Sequence, residues 1–167
     1  MRATLHYLRQ MHESGIIGGY AIGGAMAATF YIEPVTTFDL DVFVVLPQEA
    51  DGLLLSLGPL YDYLRAAGFK EDKECVVIHG IPVQFLPAFN PLVEEALANA
   101  IETDYDGIKV PVFSPEHLTA IALQTGRGKD KARVQSFAES GVLCPEKLTG
   151  ILTRHGLEGK WKSLTTD

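Results

Sequence analysis

The chain has 167 residues, a net charge of −7 at pH 7 and an isoelectric point near 5.2. This length predicts one domain, and the 47% share of apolar residues is enough to bury a core. The acidic balance argues against a general nucleic-acid-binding surface, and no apolar run is long enough to span a bilayer.

The cysteines and residues 1–15 indicate the cellular compartment in which the protein is expected. Cys75 and Cys144 lie far apart in the sequence and form no metal-binding motif. Residues 1–15 lack the apolar stretch of a signal peptide. We therefore expect a reduced, cytoplasmic protein with no membrane partner.

The first half of the chain alternates between helical and extended patterns. Leu5, Leu8 and Met11 recur at helical spacing and predict a helix over residues 3–12. A strand is expected at 18–22, a helix at 25–30, a strand at 42–46, and a helix at 53–67 that restarts at Gly58-Pro59. A polar connection over 69–74 then leads to a hairpin with strands at 76–78 and 81–86.

The second half contains one more hairpin and several helices. A helix over 90–100 is expected to carry Glu94 and Glu95 on its solvated face, and strands at 100–104 and 108–113 flank an Asp-Gly turn. Further helices are expected from Ser114-Pro115 onward and from 129 to 138. The last 23 residues predict two helical pieces split at Gly156, with Leu157 and Trp161 docked on the body.

Two acidic residues stand at the start of the most apolar strand pattern. Asp39 and Asp41 directly precede residues 42–46. Because alternate side chains of a strand share a face, both carboxylates project to one side, about 7 Å apart at the backbone. Such close charges repel, and Mg²⁺ or Mn²⁺ offsets the repulsion when carboxylates and substrate phosphates bind it together. We interpret Asp39 and Asp41 as catalytic metal ligands; the alternative is a solvated strand start.

A glycine pair, Gly23-Gly24, stands between the first strand pattern and the next helix pattern. Glycine at such a turn lets the backbone approach a phosphate, and a helix N-terminus offers unpaired N–H groups. The alternative is a tight turn that needs glycine only for its backbone freedom. Thr36 and Thr37, just before the acids, either hydrogen-bond the turn or contact a phosphate.

In this order and spacing, these residues resemble the nucleotidyltransferase superfamily of the DNA polymerase β type. GGAMAATF (23–30) and TTFDLDVFV (36–44) look like its small bacterial branch, which is similar to the nucleotidyltransferase-like toxins of abortive-infection systems. The resemblance implies a nucleotidyltransferase fold of the α/β (α+β) class, a mixed β-sheet flanked by helices with a short C-terminal helical extension. It implies that Gly23 and Gly24, with Thr37 as a further candidate, bind the nucleotide, while Asp39 and Asp41 hold metal.

The resemblance extends to SPEHLTAIAL (114–123) and GRGKDKARV (126–134). Four cations fall within seven positions there: Arg127, Lys129, Lys131 and Arg133. Such a cluster suits phosphate or an RNA backbone, with Lys129 as the first candidate for a triphosphate contact; the alternative is a solvated helix start. We expect residues 1–113 to form the nucleotidyltransferase-like core and 114–167 a helical segment packed on it, within one compact domain.

Gln84 departs from the pattern of the superfamily. In its active members a third carboxylate commonly lies on a neighbouring strand, at the position that Gln84 occupies here. An amide cannot carry the charge that a second metal needs, nor act as a base at neutral pH. Glu74 and His79 are nearby candidates for a substitute role; the alternative for both is an exposed loop.

Two functions are consistent with these residues. The first is transfer of a nucleoside monophosphate from a Mg-NTP to a hydroxyl of an RNA, a protein or a small molecule. Because the chain resembles the toxins, this first function could be a toxin-like one with an antitoxin partner. The second is a catalytically weak module of the same fold that binds a nucleotide or a partner protein, which Gln84 favours.

Overall fold

The computed structural model describes residues 1–33, 37, 39–46 and 56–165. The elements follow one another in this order: α1 (Arg2–Glu13), β1 (Gly19–Ile22), α2 (Gly24–Ala28), β2 (Leu40–Val45), α3 (Gly58–Ala66), β3 (Lys70–Asp72), β4 (Cys75–Ile78), β5 (Ile81–Pro87), α4 (Pro91–Ala98), β6 (Ile101–Tyr105), β7 (Ile108–Val112), α5 (Pro115–Thr125), α6 (Gly128–Ser140), α7 (Pro145–Arg154) and α8 (Glu158–Thr165). No helix within these ranges has both the length and the hydrophobicity that crossing a membrane requires.

The seven strands of the described residues form one mixed sheet in the order β3-β4-β5-β2-β1-β7-β6. The central strand, β2, is antiparallel to β1 and parallel to β5. β1 runs parallel to β7, and antiparallel hairpins extend the sheet on both sides. The predicted mixed sheet with flanking helices is confirmed, and the acid-bearing strand lies at its centre.

One row of residues crosses the sheet at the level of Asp41. Asp41 is in register with Gln84 of β5, and on the other side the Gly23 N–H donates to the Asp41 carbonyl (2.9 Å). Since Val76 pairs with Val83, Cys75 of β4 follows beside Gln84. Neighbouring residues in register point to the same face of a sheet, so this row brings polar side chains of three strands together.

Two clusters of buried apolar side chains hold the sheet and the helices together. The larger joins the strands to the first helices, and Leu5, Leu8 and Met11 of α1 contribute to it at their predicted helical spacing. The smaller is built by α4, α5, α6 and α7. Leu157 is buried in this second cluster and Trp161 packs against it, so the predicted docking of the tail is present.

The strand β3 was not predicted, since the sequence analysis expected a polar connection over 69–74. All three residues of β3 are exposed, so no apolar alternation marks the strand, yet its backbone pairs with β4. The chain reverses at Lys73, whose φ is +58°. Backbone hydrogen bonds form this edge strand, and every residue type except proline can donate and accept them, so the sequence does not reveal the strand.

Other boundaries also differ from the predictions. The helix predicted over 53–67 lies partly outside the described residues, and its described part, α3, starts at the expected Gly58-Pro59. α2 ends at Ala28, earlier than predicted. The two hairpins turn at His79-Gly80 and at Asp106-Gly107, as the sequence predicted.

Glu95 links α4 to α5 and α7, whereas the sequence predicted a solvated position. Its carboxylate binds Arg154 and lies 2.7 Å from His155 Nε2 and 3.3 Å from His117 Nε2. Hydrogen bonds from Arg154, then from the two histidines, lower the pKa of Glu95 to about 2. Arg154 follows 59 residues later in the chain, so no local pattern could reveal this cluster.

We expect Glu95→Gln to lower the free energy of unfolding by about 2 kcal/mol at pH 7, because charge-assisted hydrogen bonds are lost. Since folding lowers the pKa of Glu95, the carboxylate's contribution is complete above about pH 4.5 and disappears toward about pH 2. Urea unfolding at several pH values measures both effects. Glu94→Gln, at an exposed position of the same helix, is the matched control and should change stability by less than about 0.5 kcal/mol. Equal losses in both variants would contradict the assignment.

Candidate active site

The Gly23-Gly24 turn closes directly over Asp41. A Cβ at Gly24 would lie 1.8 Å from Asp41 Oδ2, so a side chain there would displace the carboxylate. Gly24 also has a φ of +61°, in the left-handed region where residues with side chains are strained. Two independent constraints therefore require glycine at position 24, and one of them is the carboxylate itself.

Asp39 precedes β2 by one residue and is exposed. Thr37 Oγ1 donates a hydrogen bond to Asp39 Oδ1 (3.0 Å). Thr36 lies outside the described residues. The charge of Asp39 adds to the effect of burial in raising the pKa of Asp41, so the two carboxylates interact.

Three cations near the start of α6 act on Asp41. Burial and Asp39 raise the pKa of Asp41, and the positive charges of Lys129, Arg133 and Arg127 partly oppose that increase. These cations therefore come near enough for their charges to act on Asp41, although about ninety positions separate them from it in the chain. Lys129, the predicted triphosphate contact, is exposed at this place.

Asp130 lies beneath these cations and is 1% exposed. Its carboxylate binds Arg127 Nε at 2.7 Å and lies 3.5 Å from Arg133 Nη1. Sequence reasoning did not single out Asp130, although arginines three residues before and after it place all three on one side of a helix. Asp130 holds two of the three cations in place beside Asp41.

The structure treats the two candidate substitutes for a third carboxylate differently. Gln84 Nε2 donates to Glu74 Oε2 (3.2 Å), so Glu74 is held beside the residue that neighbours Asp41. His79 packs instead on Tyr7 and Phe69, with ring centroids 5.9 Å and 5.4 Å apart. Of the two candidates, Glu74 is therefore the one that reaches the polar row.

A cavity of about 1120 Å³ lies at the other end of the central strands. Its lining includes Gly19, Tyr20 and Val45, and among the described residues neither aspartate nor any of the three cations borders it. The acids therefore lie outside this cavity, at the opposite end of β2. Charge and close backbone approach, not enclosed volume, distinguish the candidate site.

The donor set fits a divalent cation that a substrate helps to bind. No group of three or more His, Cys, Asp or Glu side chains within the described ranges is arranged to enclose an ion by itself. Mg²⁺ and similar hard cations commonly use one or two carboxylates together with phosphate oxygens. Asp39 and Asp41 would hold such an ion, which would relieve the repulsion between them.

Asp41→Asn is expected to raise the melting temperature of the metal-free protein at pH 7. Folding raises the pKa of Asp41, so ionising this buried carboxylate lowers the free energy of unfolding. Stability therefore falls as pH rises through that pKa and stays lower at higher pH. An asparagine removes the buried charge and this cost. Calorimetry in EDTA across a pH series tests the effect, and the gain should vanish at acid pH, where Asp41 is protonated. A lower melting temperature for the variant at pH 7 would contradict it.

Several solved structures share this architecture. An antigenic nucleotidyltransferase-like protein from Paracoccidioides brasiliensis matches with a TM-score of 0.55 and 16% identity, over 98% of this chain and 95% of that one. The antibiotic-resistance factor ANT(2'')-Ia matches with a TM-score of 0.54 and 18% identity, over 98% and 94%. A structure of ANT(2'')-Ia in complex with adenylyl-2''-tobramycin matches at 0.53 and 16%, over 93% and 95%.

Comparison at the level of sequence finds less. No protein-family model matches the chain, and no curated protein matches it. The identities to the solved structures are low, so the likeness concerns architecture: one mixed sheet and the helices that flank it. The chain therefore adopts the nucleotidyltransferase fold.

Proposed function

We propose that the chain is a nucleotidyltransferase, which transfers a nucleoside monophosphate from a metal-bound NTP to an acceptor hydroxyl. One observation carries this proposal: the glycine turn closes over the Asp41 carboxylate at one end of β2, and the charges of Asp39 and of three cations near the start of α6 act on that carboxylate. Such a site has ligands for a divalent cation and positive charges for a triphosphate. The shared nucleotidyltransferase fold supports the same function.

Each group has a definite task in this reaction. Asp39 and Asp41 would hold the cation, which would neutralise charge on the phosphates. Lys129 and the two arginines bind phosphate oxygens and stabilise the negative charge that grows on the departing pyrophosphate. Gly24 contributes close backbone approach, since α2, with five residues, is too short to add much helix dipole.

The acceptor is the least constrained part of the proposal. The structure of ANT(2'')-Ia with adenylyl-2''-tobramycin shows a small molecule in adenylylated form on the same fold, which supports a small-molecule hydroxyl here. An RNA or protein acceptor, a toxin-like role and an antitoxin partner have the support of the sequence resemblance alone. Gln84 favours a second candidate, a module that binds the nucleotide with little catalysis.

Calorimetric titration with each Mg-NTP tests the proposal. The unaltered chain should bind at least one of them, and Asp39→Asn with Asp41→Asn should weaken binding about 100-fold or more, since both metal ligands are lost. Release of pyrophosphate then separates an enzyme from a binding module. No binding of any Mg-NTP to the unaltered chain would contradict both candidates.

Lys129→Ala should weaken Mg-NTP binding about tenfold, because one charged contact with the triphosphate is lost. Lys131→Ala, an exposed lysine on the same helix, is the matched control and should bind nearly normally. The difference between the two variants should shrink as salt is raised, since salt screens exposed charges. Equal effects of the two substitutions would argue against a specific role for Lys129.

A further inference from the structure

The cations that act on Asp41 come from one side of the proposed site. The charges that act on Asp41 from α6 are positive, those of Lys129, Arg133 and Arg127. Cys75, one strand beyond Gln84, has the opposite surroundings: its thiol pKa is raised by burial and then by the negative charges of four acids, Asp39, Asp41, Asp72 and Glu74. Apart from the two aspartates of the site, the acids that act on Cys75 are Asp72 and Glu74. The cations that act on Asp41 thus belong to the α6 side, while the β3–β4 hairpin carries these two acids together with Lys70 and Lys73.

The position of these cations gives the transfer a direction. The pyrophosphate end of an NTP belongs on the cationic side, where α6 offers partners for its oxygens. In phosphoryl transfer the attacking and leaving oxygens stand roughly in line across phosphorus. An acceptor hydroxyl therefore has to approach from the other side, over β4 and β5, past Cys75 and Gln84.

One group on that side is equipped to take a proton. Asp39 and Asp41 are engaged as metal ligands in the proposed reaction, and the amide of Gln84 cannot serve as a base. Glu74 is exposed on the turn between β3 and β4, where an acceptor from solution can reach it. The hydrogen bond from Gln84 Nε2 to Glu74 Oε2 holds this carboxylate beside the polar row.

We propose that Glu74 is the general base of the transfer and that Gln84 positions it; this inference rests on the function proposed above. The acceptor O–H gives its proton to the Glu74 carboxylate, and the acceptor oxygen forms a bond to the α-phosphorus. The bond from the α-phosphorus to the bridging oxygen breaks, and its electron pair leaves with pyrophosphate.

Glu74→Gln separates this role from binding. The affinity for Mg-NTP, measured by calorimetry, should stay within about threefold of the unaltered chain, while pyrophosphate release with water or glycerol as acceptor should fall about 100-fold or more. The exchange variant, Glu74→Gln with Gln84→Glu, should recover most of the rate, because the carboxylate returns on the neighbouring strand. Asp72→Asn, an exposed acid of β3 on the same side, is the control and should retain its turnover.

Each outcome decides the inference. Normal turnover in Glu74→Gln would overturn the role of Glu74 and leave the nucleotidyl transfer intact. Loss of nucleotide binding in Glu74→Gln, or an exchange variant as slow as the single variant, would assign Glu74 a structural part and overturn its role as base. If the unaltered chain binds Mg-NTP without releasing pyrophosphate, both the proposed transfer and the role of Glu74 as its general base are contradicted.

Discussion

Replacing Gly24 with alanine is expected to abolish Mg-NTP binding and to lower the free energy of unfolding by about 2–4 kcal/mol. The added Cβ would lie 1.8 Å from Asp41 Oδ2, so the carboxylate must leave its place or the turn must open. A φ of +61° adds the strain of a left-handed residue, about 1–2 kcal/mol. Titration calorimetry and urea unfolding measure the two effects on the same variant.

Gly107→Ala is the matched control for this substitution. Gly107 has a φ of +81° in the turn between β6 and β7, and a Cβ there would meet nothing within 4 Å. Its variant should lose about 1–2 kcal/mol through backbone strain and bind Mg-NTP normally. If Gly24→Ala binds nucleotide as well as Gly107→Ala does, the contact between the glycine turn and Asp41 has no part in the function.

Asp130→Ala is expected to lower the free energy of unfolding by about 3–4 kcal/mol and to weaken Mg-NTP binding about tenfold or more. Asp130 is 1% exposed, and removing it leaves the largely buried Arg133 without its partner. Arg127 and Arg133 then lose the carboxylate that holds them beside Asp41. The binding loss follows because mobile cations must be ordered again when the triphosphate arrives.

Asp62→Ala is the control for this second prediction. Asp62 and Arg65 also form an i,i+3 pair, at 2.8 Å, but their side chains are 71% and 59% exposed. Such a surface pair contributes less than about 1 kcal/mol, and its loss should leave nucleotide binding unchanged. A loss of stability in Asp130→Ala no larger than in Asp62→Ala would show that the buried pair does not organise the cations.

Local pattern was sufficient for the central part of the candidate site. The alternation of Leu40, Asp41 and Val42 places the carboxylate opposite two core side chains, and both of those are buried. The two hairpins were also predictable: Asp106-Gly107 is a characteristic turn pair, and His79-Gly80 stands between two apolar strand patterns. The proximity of Lys129 to the acids came from resemblance, since nothing in the local sequence relates positions so far apart.

What the sequence analysis missed depends on pairing and burial. β3 exists through backbone hydrogen bonds and has no apolar face that could have predicted it. Glu95 is bound by Arg154, the last residue of α7, and by His155, which follows that helix. The arginines that pair with Asp130 lie within one helical turn on each side of it, so this ion-pair cluster could have been predicted. The burial of Asp130 could not, because it depends on how α6 packs.

A crystal structure with Mg²⁺ and a non-hydrolysable NTP tests the central claim most directly. We expect the cation on Asp39 and Asp41, the triphosphate between the Gly23-Gly24 turn and α6, and Lys129 in contact with phosphate oxygens. A nucleotide in the cavity beside Tyr20 and Val45, or aspartates that contact neither cation nor phosphate, would contradict the account.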